Sequence, residues 1–184
     1  MLILASQSPR RSELLHQAGI PFIAQPANVD ETIRSGESPG EYVKRVAQEK
    51  AAAIEANPPD IVLGADTVVV IDGQILGKPR DPTDAIRMLE TLSGCEHAVL
   101  TGICLCRAAE TILDVAETRV WFLPLTHSEI QEYVATGEPM DKAGAYAIQG
   151  LASKFVRRIE GSYTNVVGLP VELVYQYLHR WGHS

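Results

Sequence analysis

The apolar run from Ile61 to Ile71, IVLGADTVVVI, constrains the fold of this chain more than any other segment. Its β-branched side chains favour an extended strand, and a segment with so few polar side chains is expected to be mostly buried. Asp72-Gly73 follows the run directly and is a strong signal for a hairpin turn. The sequence therefore predicts a buried strand that ends in a hairpin.

Strand-like and helix-like segments alternate along the first half of the chain, and two strand-like runs then follow one another. The other predicted strands cover residues 2–5, 22–26, 97–106, 112–122 and 155–159. The predicted helices run from Pro9 to Gly19, from Pro39 to about Ala56, from Pro82 to Leu92, from Thr126 to near Gly137 and from Pro170 to about His179. This order predicts an α/β or α+β fold, a mixed central sheet flanked by helices, in a single domain of residues 1–184.

Composition narrows the class of protein. No apolar run reaches the about 18 residues that span a bilayer, and the basic residues near the N-terminus follow the apolar ones, unlike in a secretory signal. We therefore expect a cytoplasmic protein without a membrane partner. Three cysteines without a C-x-x-C pair fit that compartment, and Cys104 and Cys106 are expected to be free thiols on one face of a strand.

The net charge of −7 argues against stable nucleic-acid binding, which usually needs a basic excess or stripe. The cations instead form short, separated groups. This distribution favours a small polyanionic ligand.

The segment from Leu2 to Arg11, LILASQSPRR, predicts a strand that enters a helix through a phosphate-binding turn. Backbone N–H groups at a helix N-terminus are unpaired and carry a partial positive charge. Ser6 and Ser8 add hydroxyl donors, and Arg10 and Arg11 add guanidinium groups that can grip phosphate oxygens. The structural alternative is a serine N-cap, a helix-starting proline and two exposed arginines.

Asp66 lies in the middle of the apolar run, so its carboxylate is expected to be buried and to need a cation, either a metal ion or a lysine or arginine. In the alternative, Gly64 breaks the strand and leaves Asp66 exposed. Glu31 lies in a polar loop and could join Asp66 in holding Mg²⁺, which prefers a few carboxylates together with substrate phosphates. Lys50 and Lys78 could reach phosphate, although Lys50 taken alone is more typical of a solvated helix position and Lys78 fits an ordinary surface lysine equally well.

Residues 140–150, MDKAGAYAIQG, are predicted to form a binding loop. Its glycines allow close backbone approach, Tyr146 offers a stacking face, and Gln149 can read the edge of a base through its paired donor and acceptor. The alternative is a glycine-bearing surface loop.

The motifs LASQSPRR, LGADT, GKPRD, DKAGAYAIQG and GSYTNVVGLP occur in this order along essentially the whole chain. Together they resemble the Maf family of nucleoside triphosphate pyrophosphatases, and AYAIQG is closer to the branch that acts on dTTP and UTP. The resemblance implies an inosine-triphosphatase-like fold with a nucleotide cleft between two lobes, and a homodimer. It also implies cleavage between the α- and β-phosphates that depends on Mg²⁺ or Mn²⁺ and releases pyrophosphate.

The resemblance also implies roles for individual residues. Asp66 takes the position of the general base, and Arg10, Thr67 and Gln149 take the positions linked to substrate choice. The positions of phosphate contacts are occupied by Ser6, Arg11, Lys50 and Lys78. The position of a carboxylate beside the metal is occupied by Glu31.

The sequence leaves open whether Asp66 accepts a proton from water or orients the water through a metal. It also leaves open a purine-preferring or single-phosphate hydrolase, and a nucleotide sensor that regulates septum formation by binding a partner.

Overall fold

The computed structural model describes residues 1–182 and contains one seven-stranded sheet and six α-helices within that range. The strands are β1 Leu2–Ala5, β2 Phe22–Ala24, β3 Ile61–Ile71, β4 Gln74–Leu76, β5 Glu96–Arg107, β6 Glu110–Phe122 and β7 Val156–Glu160. The helices are α1 Pro9–Gln17, α2 Pro39–Ala52, α3 Pro82–Leu92, α4 His127–Ala135, α5 Tyr163–Val167 and α6 Val171–Arg180. None of the helices in this described range combines the length and the apolar character needed to cross a membrane.

The sheet is mixed, as the order of elements predicts. Its strand order is β2-β1-β3-β5-β6-β7, and β4 pairs with β3. β1 runs parallel to β2 and to β3, whereas the β3–β4 hairpin and the β6–β7 pair are antiparallel. The predicted α/β class and mixed sheet are therefore confirmed.

The described chain forms two compact units. The first contains residues 1–67, 101–116 and the chain from Gly168 onwards, and the second contains residues 68–100 and 117–167. The assignment of residues 1–184 to a single functional domain stays a prediction.

In the first unit, helix α2 packs against the sheet at two glycines. A Cβ on Gly64 of β3 would lie 2.1 Å from the backbone oxygen of Ala47, and one on Gly102 of β5 would lie 2.3 Å from that of Val43. Because only hydrogen fits at these two positions, the helix backbone lies directly on the strands. Gly64 does not break the strand, which continues through it to Ile71.

The start of α2 agrees with the sequence, but its end does not. Ser38 caps the helix, with Glu41 completing the capping box. The helix ends at Ala52 rather than near Ala56. Its last turn tightens, since the N–H of Ile54 donates to the oxygen of Ala51 at 3.3 Å, and the Ile54 side chain then joins the core.

Three further features differ from the predicted elements or refine them. α5 and three short 3₁₀ segments were not predicted, because single turns of this length leave no clear apolar period in a sequence. β2 ends at Ala24, two residues before Pro26. Cys104 and Cys106 are free thiols on one face of β5, with their sulfur atoms 3.6 Å apart, as their spacing predicts.

In the second unit, His97 and Tyr146 form a buried aromatic cluster with Phe122. The Nε2 atom of His97 lies 2.8 Å from the Tyr146 hydroxyl, and the two rings meet edge to face. Nδ1 of His97 has no hydrogen-bond partner in the described part of the chain. Burial lowers the pKa of His97 to about 4, so the ring is neutral at pH 7.

We predict that Gly64→Ala lowers the free energy of unfolding by about 3 kcal/mol, because the new methyl group must push the α2 backbone off β3. The comparison variant is Gly40→Ala, which places a methyl group in open space on the same helix. Urea unfolding of both variants tests the prediction. A Gly64→Ala protein as stable as Gly40→Ala would show that the close packing is not required.

We also predict that His97 makes stability fall in mild acid. Between pH 6.5 and about 4 the unfolded chain binds a proton at this ring and the folded chain does not, so stability falls as the pH drops through this window. The full effect is about 3 kcal/mol near pH 4, and it is absent above pH 6.5.

Urea unfolding gives the free energy of unfolding at pH 7.5 and at pH 4.5. We expect this free energy to fall more between the two pH values in the wild type than in His97→Gln, which has no imidazole at position 97. His179→Gln, at an exposed position, is the control. The same pH dependence in the wild type and in His97→Gln would contradict the prediction.

Candidate functional site

The turn between β1 and α1 has the structure that LASQSPRR predicts. Ser8 is the N-cap residue of α1, Pro9 is in its first turn, and the Ser8 side chain forms no capping hydrogen bond. The Ser8 N–H instead donates to Oγ of the buried Ser6 at 3.1 Å. Arg10 is half-buried on the first turn. The junction therefore presents hydroxyl groups and a guanidinium at the N-terminus of a helix.

Arg11 is buried, which excludes the alternative of two exposed arginines. Its Nη1 donates to Ser6 Oγ at 3.1 Å and to the oxygen of Ala65 at 2.9 Å. Its Nε donates to the oxygen of Gly168 at 2.8 Å. Burial lowers the pKa of Arg11, and the nearby carboxylate of Asp66 opposes that shift. Its side chain therefore joins the β1–α1 turn to β3 and to the segment before α6.

Asp66 is buried in β3 and is paired with a lysine. Its Oδ1 accepts a hydrogen bond from Nζ of Lys50 at 2.8 Å, and the same Nζ lies 2.7 Å from Oε1 of Glu31. Lys50 lies in the last turn of α2 and is only 8% exposed, so its interpretation as a solvated helix residue is wrong. The interpretation of Asp66 as an exposed turn residue is also wrong. The ammonium group of Lys50 thus contacts both Glu31 and Asp66, the two carboxylates that were predicted to hold Mg²⁺ together.

The position of Glu31 depends on α2 as well. Its side chain is about half exposed, in a segment without helix or strand, while the hydroxyl of the buried Tyr42 donates to its backbone oxygen at 2.9 Å. Lys50 and Tyr42 lie two turns apart on α2 and hold this segment at two points.

Thr67 follows Asp66 and belongs to a separate hydroxyl cluster. Its Oγ1 accepts from Nη2 of Arg11 at 3.0 Å and lies 2.9 Å from Oγ1 of the buried Thr101. It also donates to the oxygen of Gly168 at 3.2 Å. Thr67 is thereby fixed against the same backbone oxygen that Arg11 holds.

Sequence reasoning missed Tyr42, Thr101 and Gly168. A threonine inside a strand-like run and a tyrosine inside a helix carry no signal of this role. Gly168 lies in the quoted motif GSYTNVVGLP. Its φ of 135° favours glycine, but its contribution to the site is a backbone oxygen, which the residue type does not reveal.

The described residues do not gather three or more histidine, cysteine, aspartate or glutamate side chains into a metal-binding cluster. The donor set near Lys50 is two carboxylates, Glu31 and Asp66. Two carboxylates fit the coordination preference of Mg²⁺, which takes few protein ligands and completes its coordination shell with water and substrate phosphates.

Two candidate residues, Lys78 and Gln149, belong to the second unit, and both side chains are exposed. Tyr146 does not offer a stacking face: it is 6% exposed and packs on His97 and Phe122. The expectation of an exposed ring was wrong because the phenol finds a buried partner in His97.

The chain belongs to the family of Maf-like proteins, whose model matches residues 1–181. It is 52% identical over 182 residues to a dTTP/UTP pyrophosphatase of Koribacter versatilis, with 98% of this chain and 94% of that protein covered. A protein of the same name from Symbiobacterium thermophilum is 53% identical, with 99% and 94% covered. A dITP/XTP pyrophosphatase structure from Mycobacterium abscessus matches at a TM-score of 0.44 and 15% identity, covering 97% of this chain and 93% of that chain.

We predict that Lys50→Met lowers the free energy of unfolding by about 3 kcal/mol, because it leaves the Asp66 carboxylate buried without its partner. Adding Asp66→Asn should restore part of that loss, since the buried charge is then gone. Lys44→Met on the same helix is the control and should change stability by less than about 0.5 kcal/mol.

Urea unfolding of the two single variants and the double variant measures the coupling. If the effects of Lys50→Met and Asp66→Asn simply add, the two side chains do not depend on each other in the folded protein.

Proposed function

We propose that this protein is a nucleoside triphosphate pyrophosphatase that hydrolyses dTTP and UTP to the nucleoside monophosphate and pyrophosphate. The observation that carries the proposal is the buried pair of Asp66 and Lys50, in the same unit as a helix N-terminus rich in hydroxyl groups. The family membership and the names of the similar proteins support the substrate.

In this proposal, the β1–α1 turn binds the phosphates. The N-terminus of α1, the hydroxyl groups of Ser6 and Ser8, and the Arg10 guanidinium supply donors for phosphate oxygens. Arg11 adds positive charge beneath them while its N–H groups hold the turn in shape. Lys78 supplies a further cation.

In this proposal Lys50 contacts phosphate in addition to pairing with the carboxylates. An ammonium group has three N–H donors, and Glu31 and Asp66 take two of them. The third can donate to a phosphate oxygen. Lys50 thereby keeps two carboxylates together and offsets part of their repulsion for the triphosphate.

Asp66 is the catalytic residue of the proposal. Its carboxylate accepts a proton from the water that attacks at phosphorus, and Lys50 keeps the carboxylate fixed in one place. Glu31 and Asp66 would hold a divalent cation, Mg²⁺ or Mn²⁺, which supplies charge stabilisation of the phosphate oxygens when bound. Departing pyrophosphate gains negative charge, which the cationic side chains of the turn stabilise.

Substrate choice is assigned to Arg10, Thr67 and Gln149. Gln149 is exposed and carries both a donor and an acceptor, the combination that a pyrimidine edge requires. Thr67 lies next to Asp66 and is fixed by three hydrogen-bond partners, so it presents a constant shape. We further propose that the protein acts in the cytoplasm as a homodimer, on free nucleotides rather than on nucleic acids.

A panel of nucleoside triphosphates with Mg²⁺, scored separately for pyrophosphate and orthophosphate, tests the reaction and the substrate. We expect pyrophosphate from dTTP and UTP and little from ATP. Orthophosphate as the product would contradict the proposed bond cleavage, and equal rates with ATP and dTTP would contradict the pyrimidine preference. No turnover above a metal-free control would favour a protein that only binds nucleotides.

We predict that Asp66→Asn lowers kcat for dTTP at least about 100-fold, because an amide cannot accept the proton of the attacking water. Asp72→Asn, in the exposed β3–β4 turn, is the matched control and should keep the wild-type rate. Near-normal turnover of Asp66→Asn at saturating substrate and Mg²⁺ would rule out both roles considered for Asp66.

A further inference from the structure

Gln149 is presented by a tight turn of the second unit. The N–H of Gly150 donates to the oxygen of Ala147 at 3.1 Å, which places Ile148 and Gln149 at the two central positions. Ile148 is buried, whereas Gln149 is exposed. The direction of the Gln149 side chain therefore depends on how firmly the rest of the molecule holds this turn.

Two side chains outside the turn hold it on both sides of Gln149. The hydroxyl of Tyr133, on α4, accepts from the N–H of Ala147 at 3.3 Å and donates to Oε1 of Glu138 at 2.8 Å. The carboxylate of Glu138 in turn accepts from the N–H of Leu151, at 3.1 Å from Oε1 and 3.2 Å from Oε2. One phenol–carboxylate pair thus binds the backbone two residues before and two residues after Gln149.

Both side chains lie close to the turn: Tyr133 belongs to the core, and Glu138 is half-buried. Tyr133 is 3% exposed, and burial together with Glu138 raises the pKa of its phenol, so it is a neutral donor at pH 7. A Cβ on Gly150 would lie 2.3 Å from Oε1 of Glu138, so the backbone of the turn rests directly on the carboxylate. A side chain at position 150 would push the Glu138 carboxylate away from the turn.

The segment before the turn is also under constraint. Ala145 has a φ of 60°, in the left-handed region that alanine rarely adopts, and it is fully buried. Such a conformation persists only where the surroundings determine it, and in buried segments it clusters at binding and catalytic sites. The N–H of Gly144 donates to the oxygen of Gly77, the residue before Lys78, at 3.0 Å.

We infer that Tyr133 and Glu138 are positioning residues for nucleobase selection: they hold the turn of residues 147–150 so that Gln149 meets the base in one orientation. This inference rests on the proposed function, in which Gln149 contributes to substrate choice. Neither residue contacts the phosphates in this scheme. Loss of the pair therefore affects discrimination between bases and leaves the chemistry of Asp66 intact.

The test uses the full chain, four single variants of the pair and its control, and Gln149→Ala with and without Tyr133→Phe. Tyr133→Phe removes the hydroxyl that Ala147 and Glu138 share, and Glu138→Ala removes the acceptor for Leu151. Glu138→Gln retains an oxygen that can accept from both Tyr133 and Leu151, so it should rescue much of the loss. Tyr163→Phe, which changes an exposed phenol of the same unit, is the matched control.

The measured quantity is the ratio of kcat/KM for dTTP to kcat/KM for ATP. We expect Tyr133→Phe and Glu138→Ala to lower this ratio about 10-fold, with kcat for dTTP at saturation little changed. Glu138→Gln and Tyr163→Phe should stay near the wild-type ratio. In a Gln149→Ala background, Tyr133→Phe should lower the ratio no further, because both changes act through one contact.

An unchanged ratio in Tyr133→Phe and Glu138→Ala would overturn the inference. So would an equal loss of kcat/KM on both nucleotides, which is the result expected from general destabilisation. If the wild-type protein hydrolyses no nucleoside triphosphate, the proposed function is wrong, and this result does not test whether Tyr133 and Glu138 position the turn. Deuterium exchange then decides whether the pair positions the turn: Tyr133→Phe must speed exchange in residues 143–151, and unchanged exchange there would refute it.

Discussion

The ion pair between Lys50 and Asp66 is the interaction on which the rest of the candidate site depends. A carboxylate in a strand as apolar as β3 is stable only with a cation beside it, and the last turn of α2 provides that cation. The helix reaches the strand because Gly64 has no side chain. Two residues of one strand, a glycine and an aspartate, therefore set both the distance between helix and sheet and the charge at their contact.

The sequence predicted most elements of the fold because their signals are local. Capping residues, prolines and the hairpin turn mark where α2, α3, α4 and β4 begin, and the apolar run marks β3. What it did not predict depends on contacts between distant segments. The neighbours of Lys50 in the chain favour a solvated residue, because nothing near it in the sequence indicates that Asp66 lies beside it. Tyr146 was taken for an exposed ring because His97 is far away in sequence.

In the candidate site, too, the sequence predicted the residues with a local signal and missed those that act through contacts between distant segments. Serines, arginines and carboxylates were identified from residue type and spacing, and the structure brings Ser6, Arg11, Glu31, Lys50 and Asp66 into one unit. The supporting groups were not identified, since they act through backbone oxygens and hydroxyl groups. Gly168 contributes a carbonyl, and Thr101 a hydroxyl within a strand. Residue types do not reveal such contributions, so the sequence indicates candidate reacting groups more readily than the groups that hold them in place.

Arg11 illustrates how this affects the interpretation of mutants. Its guanidinium joins the β1–α1 turn, strand β3 and the segment before α6 through side-chain and backbone oxygens. A lysine at this position could not reproduce that planar set of donors. An inactive Arg11 variant would therefore not by itself be evidence that this residue contacts phosphate. The same substitution removes the hydrogen bonds that hold the β1–α1 turn, β3 and the segment before α6 together. A genetic screen would score such a variant as catalytic, although the hydrogen bonds of Arg11 give this residue a structural role as well.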